Sequence, residues 1–234
     1  MGASIPEPSL CCQAYNEAPL RIAVYTSVIG KYDRVHRVPE QFTDEAEFYI
    51  FSDVDYSHLG YTWRKAGMTE RTARRESRLY KISPHKYLPE YDYTIYIDGS
   101  IKLLRSPEYL VRRYLTGADI ALHNHPWRDC IYKEAKVCID NEIVGRVKGL
   151  EQIEYMKKDG YPENEGLFEN GVIIRANSEK MRRLSDDWQE IYDKFTARDQ
   201  LSLAYVMWKH RINCNLIKNC LRGESTEFQY TGHL

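Results

Sequence analysis

The stretch YTIYIDGS, residues 93–100, most narrows what this chain can become. β-Branched and aromatic residues dominate its first half, the composition of a buried strand. An acid, a glycine and a serine then follow in succession. An Asp just past a hydrophobic strand sits at the carboxyl edge of a sheet, where open α/β folds hold their ligands. Gly99 permits a tight exit and the close approach of a ligand. Asp98 is therefore a candidate for handling a metal or a phosphate-bearing substrate. The competing reading is an ordinary strand–turn boundary, where Asp and Gly are common.

The rest of the chain sets the frame for that strand. Its 234 residues suffice for one domain with a sizeable core. Lys and Arg number 33 against 34 Asp and Glu, so no global basic excess draws in nucleic acid, and a stable nucleic-acid complex is not expected. The 19 tyrosines suit surfaces packed on one side and wet on the other, as in a broad polar cleft. No apolar run approaches the length needed to cross a bilayer, and the amino terminus lacks the design of a signal peptide. The 6 cysteines show no paired CxxC pattern. Free thiols of this kind point to a reducing, cytoplasmic setting.

Read in order, residues 1–20 form a tail or irregular lead-in, 21–210 a single α/β domain, and 211–234 an extension with a short strand and a polar tail. A first strand is expected over 21–30 and a second over 48–55, the latter ending in Asp53 and Asp55. Asp53 can hold a base or a ribose hydroxyl from such a strand end, and Asp55 can cap the next turn. A helix over 69–82 carries Arg71, Arg74, Arg75 and Arg78 at i, i+3, i+4 and i+7, one helical face. Four like charges there repel, unless an anion lies across them, and Arg suits bidentate phosphate contact. Lys81 and His85, near the end that Pro84 imposes, can reach the same cleft. Ser106 and Pro107 open a further helix. A short strand over 119–122 leads into His123, His125 and Arg128, followed by residues 129–148 that can be helical. His123 and His125 can ligate a metal together with Asp98, a mixed set suited to Mn²⁺ or Zn²⁺, whereas Mg²⁺ prefers oxygen. A loop bearing Glu163, Glu165 and Glu169 enters a strand over 172–174. Helices follow over 185–195 and from 197 onward, with Asp199 at the positive end of the second.

Five of these stretches, taken together, resemble one family. IAVYTSVIGKYD, RRESRLYKISPHKYLPEYDYTIYIDGS, HNHPWRDCIYKEA, NEGLFENGVIIR and RDQLSLAYVMWK are similar, in this order, to a glycosyltransferase-like family first catalogued as a domain of unknown function. It is best known from plant proteins linked to seed-coat mucilage and turgor regulation, and the similarity covers roughly residues 21–210. The resemblance implies a single-domain GT-A-like, Rossmann-like mixed sheet flanked by helices, and a nucleotide-sugar-dependent transferase. It implies that Asp98 is the first acid of a DxD-like element, that Asn170 and Gly171 line the sugar site, and that Asp199 and Gln200 face the reacting carbon. Thr26, Ser27 and Tyr32 would lie near the nucleotide. The sequence departs from the pattern at Ser100, where DxD has its second acid. Either His123, His125, His210 or a late carboxylate completes a divalent site for Mn²⁺ or Mg²⁺, or arginines and lysines neutralise the diphosphate alone.

The expected reaction moves a sugar from a nucleoside diphosphate to the hydroxyl of a glycan or small-molecule acceptor. Arg71, Arg74, Arg75 and Lys81 would stabilise the leaving group. An inverting enzyme needs a base, for which Glu165 or Asp199 is placed; a retaining one sets Asp199 or Gln200 under the anomeric carbon, which the Asn-Gly and Asp-Gln pattern favours. Two other classes are open on the residues: a metal-dependent hydrolase using Asp98, His123 and His125, and a non-catalytic saccharide binder.

Overall fold

The computed structural model describes residues 19–30, 32–67, 71–218, 221–223 and 225–232. The expected lead-in therefore lies outside the described residues, apart from Pro19 and Leu20. Strands β1 (Ile22–Val28), β2 (Glu47–Ser52), β3 (Thr62–Lys65) and β4 (Tyr93–Ile97) build the first half of a sheet. Between β3 and β4 runs helix α1 (Ala73–Ile82), and after β4 come β5 (Ile101–Leu103), α2 (Pro107–Tyr114) and β6 (Ile120–Asn124). The second half adds α3 (Ile131–Asp140), α4 (Arg146–Lys158), β7 (Phe168–Ala176), α5 (Glu179–Lys194) and α6 (Gln200–Lys209). Two short strands, β8 (Cys214–Leu216) and β9 (Phe228–Tyr230), close the chain.

The main sheet has the order β3-β2-β1-β4-β7-β6-β8, with β5 and β9 forming a separate pair. β1, β2, β3 and β4 are mutually parallel, whereas β7 runs antiparallel to both β4 and β6. This is the mixed α/β sheet flanked by helices that the resemblance implies. Alternation along the strands divides the core in two. Tyr25, Tyr96 and Ile173 pack with α1, α3, α5 and α6, while Val24, Ile95 and Ile174 pack with α2 and Phe228.

One reversal positions everything that follows. Because β7 is antiparallel, its first residues lie beside the carboxyl end of β4, and the Asp98 N–H donates to Gly171 O at 2.8 Å. A Cβ at Gly171 would come 2.7 Å from Leu221 Cδ2 and 3.0 Å from Ile101 Cδ1, so a larger residue there would have to push these side chains aside. Gly99 likewise accommodates Asp33 and Val28, each 2.8 Å from where its Cβ would be, so its close neighbour is the β1 loop.

Several expected boundaries shift. α1 is capped by Thr72 and starts at Ala73, so Arg71 precedes the helix. The helix expected over 129–148 is two, parted by a turn in which Glu142 adopts a φ of 56°. β7 begins at Phe168, which moves Glu169, Asn170 and Gly171 from the expected loop onto a strand. The short strand expected within 211–234 is β8, which joins the main sheet alongside β6. Among the described residues no helix is long and apolar enough to cross a membrane.

Arg175 fastens these parts together. It is 2% exposed, and its guanidinium donates to Lys81 O, to Ile82 O at 3.3 Å and to Tyr25 Oη at 2.6 Å. The last turn of α1 is thereby tied to β1 and β7 at once. Arg175→Leu leaves two buried carbonyls without this donor and should cost about 3 kcal/mol in urea unfolding, with Arg175→Lys recovering only part because an ammonium lacks the planar fork.

Candidate active site

A cavity of about 590 Å³ opens at the carboxyl ends of β1 and β4. Its walls are one face of α1, the first residues of β7, the start of α6 and the segment before β9. Cationic Arg74, Arg78, Lys81, Arg198 and Arg222 line it together with the carboxylates of Asp33, Asp98, Glu169 and Asp199.

The arginine row of α1 splits as helix geometry requires. Arg74, Arg78 and Lys81 share the cavity side, and Arg75 sits about 100° round from Arg74. Arg75 donates instead to Tyr192 O at 3.3 Å and Phe195 O at 3.4 Å. Arg71 pairs with Asp193, Nη2 to Oδ2 at 3.0 Å. Arg71 and Arg75 thus brace α1 against α5, and the expectation that they contact phosphate is corrected.

Lys81 is the centre of the site. Its side chain is 2% exposed, with Nζ 2.9 Å from Asp199 Oδ2 and 3.5 Å from Asp98 Oδ1. The ammonium also stands 4.8 Å from the Tyr96 ring centroid, a favourable approach to a π face. Asp98 Oδ1 accepts a hydrogen bond from Tyr96 Oη at 2.7 Å. Arg78 Nε lies 3.6 Å from Asp199 Oδ1, and Asn170 Nδ2 donates to Asp199 Oδ2 at 3.4 Å. Burial works to raise the Asp199 carboxyl, but Lys81 and Arg78, aided by Arg198, override it and hold the group well below the usual carboxylate range. Gln200 lines the cavity with its amide donating to Phe168 O at 3.1 Å. Three buried polar atoms of the lining, Ser27 Oγ, Ser100 Oγ and Asn170 Oδ1, have no hydrogen-bond partner among the described residues. Such atoms are rare in folded proteins and suit a polar ligand.

The histidine stretch does something other than expected. His125 Nδ1 accepts from the backbone N–H of Trp127 and of Arg128, at 3.4 and 3.2 Å. Burial pushes the imidazole down, against the pull of Glu134. Glu134, 2% exposed, takes Arg128 on one oxygen and Arg198 on the other, the latter at 3.3 Å. Burial alone would raise its carboxyl; bonds from Arg128 and Cys138 bring it below the ordinary value. The motif therefore aims Arg198 into the cavity. His123 is fully buried on β6 at a bulge, its ring edge-on to Phe228 at 5.9 Å. Neither histidine lines the cavity, and His210 pairs with Asp187 at 2.9 Å.

The expected ligand set of Asp98, Ser100, His123 and His125 is thus not assembled. Among the described residues no three His, Cys, Asp or Glu side chains gather so as to hold a metal. Asp98 and Ser100 supply one carboxylate and one hydroxyl, beside an ammonium, and this donor set does not fit a divalent ion.

Of the remaining expectations, Ser27, Tyr32, Arg74, Lys81, Asn170, Gly171, Asp199 and Gln200 all line the cavity. Thr26 falls on the α2 face of β1 and does not. Asp53 accepts the Gly30 N–H at 3.2 Å, which closes a loop, and does not line the cavity. Asp55 caps its turn, accepting from Ser57 N–H at 2.8 Å. Glu165 is exposed and away from the cavity, so the base proposed there is withdrawn. Sequence reading missed Asp33, Arg198 and Arg222; Arg198 adjoins the Asp-Gln pair, whereas nothing near Arg222 marks it.

A mixed sheet with a charged cleft at the carboxyl ends of its parallel strands is the arrangement in which open α/β proteins hold their ligands. Residues 62–230 match the TOD1/MUCI70, glycosyltransferase-like domain family, and the chain belongs to that family. It is similar to the probable hexosyltransferase MUCI70 of Arabidopsis thaliana, 24% identical over 217 residues, which cover 79% of this chain. The chain spans 37% of that relative's length. Among solved structures, the apo form of mouse xyloside xylosyltransferase 1 superposes with a TM-score of 0.47 at 12% identity, covering 85% of this chain and 84% of that one. The apo WbbM bifunctional glycosyltransferase gives 0.49 at 12% identity, covering 92% and 40%.

Glu134 and Asp199 both sit below their ordinary values, so the stability they contribute is present above the unfolded carboxylate range and lost as pH falls below it. Urea unfolding between about pH 6 and pH 3 should show that loss. Glu134→Gln should cost about 3 kcal/mol near neutrality, by stranding Arg128 and Arg198, and should shrink the acid-side loss.

Proposed function

We propose that this protein transfers a sugar, with retention of anomeric configuration, from a nucleoside diphosphate sugar to an acceptor hydroxyl on a glycan or small molecule. The observation that carries this reading is the meeting of Arg74, Arg78 and Lys81 with Asp98 and Asp199 across one cavity. The cationic row suits a diphosphate, whose charge grows as it leaves. The bond from the anomeric carbon to the phosphate oxygen breaks, and its electron pair stays on the diphosphate. The acceptor oxygen bonds to that carbon, and its proton passes to the departing diphosphate.

Asp199 supports retention over inversion. A carboxylate held so far below its usual range is a poor proton acceptor but a good partner for positive charge developing at the anomeric carbon. Glu165, the other base considered, is away from the cavity. The name of the Arabidopsis relative, probable hexosyltransferase, puts hexoses first among donors to test. Metal-dependent hydrolysis would need His123 and His125 beside Asp98, and neither lines the cavity.

The test is a thermal-shift panel of UDP, GDP, ADP and CDP with their hexose conjugates. A rise in Tm for one base series, larger for its sugar conjugate, is the expected result. A response to free saccharides with none to nucleotides would leave a saccharide-binding module instead. With the donor so identified, Asp199→Asn should keep nucleotide affinity and lose about a hundredfold in release of sugar from the donor.

A further inference from the structure

Lys81 occupies the ground that a divalent cation would need. Its ammonium is buried between Asp98 and Asp199, at 3.5 and 2.9 Å, with the Tyr96 ring behind it. Its position is fixed from the backbone, because Lys81 O accepts from Tyr25 Oη at 3.1 Å and from Arg175. Asp98 Oδ1, already taken by Tyr96 Oη, is also the Asp98 oxygen that faces the ammonium. Ser100 replaces the second acid by a neutral hydroxyl. A dication at Asp98 would therefore find the Asp98 carboxylate and the Ser100 hydroxyl as donors, with the Asp199 carboxylate already paired to Lys81 and a fixed ammonium 3.5 Å from Asp98 Oδ1, an unfavourable set for it. Meanwhile the cavity already carries cationic side chains for a diphosphate, Arg74 and Arg78 on α1 and Arg198 from the segment just before α6.

We propose that Lys81, with Arg78 beside it, is a built-in substitute for the divalent cation, so that the protein binds its nucleoside diphosphate without metal. This rests on the donor class proposed above. When the diphosphate enters, Lys81 turns one of its three N–H donors from carboxylate to phosphate, and Asp98 and Asp199 keep the remaining ones in place. Charge is redistributed within the site, and no ion has to be recruited.

Isothermal titration of UDP, GDP, ADP and CDP into the protein, once after exhaustive EDTA treatment and once with MnCl₂, tests this directly. The expected result is a nucleotide whose Kd agrees within about threefold between the two conditions. Lys81→Met, which keeps the length and apolar stem, should weaken that Kd by about a hundredfold, with no rescue by MnCl₂. Binding that vanishes in EDTA and returns with MnCl₂ would overturn the inference while leaving the donor class intact. Absence of binding by any nucleotide in both conditions would overturn the donor class, and the inference with it. The wild-type comparison needs no variant, so it decides even if Lys81→Met fails to fold.

Discussion

A buried ammonium held between two carboxylates is the interaction on which this site depends. Lys81 lies at the end of α1, Asp98 at the end of β4 and Asp199 at the start of α6. No two of these belong to one element, so the cluster exists only when sheet and helices are correctly docked. Ionic groups of this kind add little net stability, because desolvation consumes most of the attraction, and an apolar trio of similar volume would pack as well. Under the donor class proposed above, these charges are partners for an anionic substrate rather than a source of stability.

Two charge clusters share the work. Around Glu134, Arg128 and Arg198 are gathered and oriented, and only Arg198 continues into the cavity. Around Asp199, Lys81 and Arg78 are gathered, and both line the cavity. Arg198 and Asp199 are adjacent in the chain, so the backbone couples the cluster around Glu134 to the one that lines the cavity. Trp188 reinforces the joint by donating to Asp199 O at 3.3 Å.

The parts legible in the sequence were those written in local pattern. YTIYIDGS announced its strand and its acid, Ser106-Pro107 its helix start, and the Asp-Gln pair its place at a helix amino end. What was hidden depended on tertiary pairing. The arginine spacing could not say that α5 would claim Arg71 and Arg75, since that required knowing which side of α1 meets a neighbour. Histidines next to a strand end read as ligands because spacing reveals proximity in sequence, whereas the β6 bulge and the Arg128–Glu134 pair decide where the rings go. Arg222 sits in a polar segment with no periodicity, and only the pairing of β9 with β5 carries its neighbourhood to the cavity.

That last pairing has a temporal side. Leu221, Arg222 and Tyr230 line the same cavity as Ser27 and Tyr32, and Thr231 donates to Ser100 O at 2.8 Å while its hydroxyl meets His36 at 2.8 Å. One wall is thus made from the beginning of the sheet and the opposite wall from segments almost two hundred positions later, a separation that makes closure slow relative to local helix formation. A nascent chain therefore completes its sheet order before it completes its cleft. The cleft is thus finished late in folding, once residues 221–223 and 225–231 have been laid across the turn that follows Asp98.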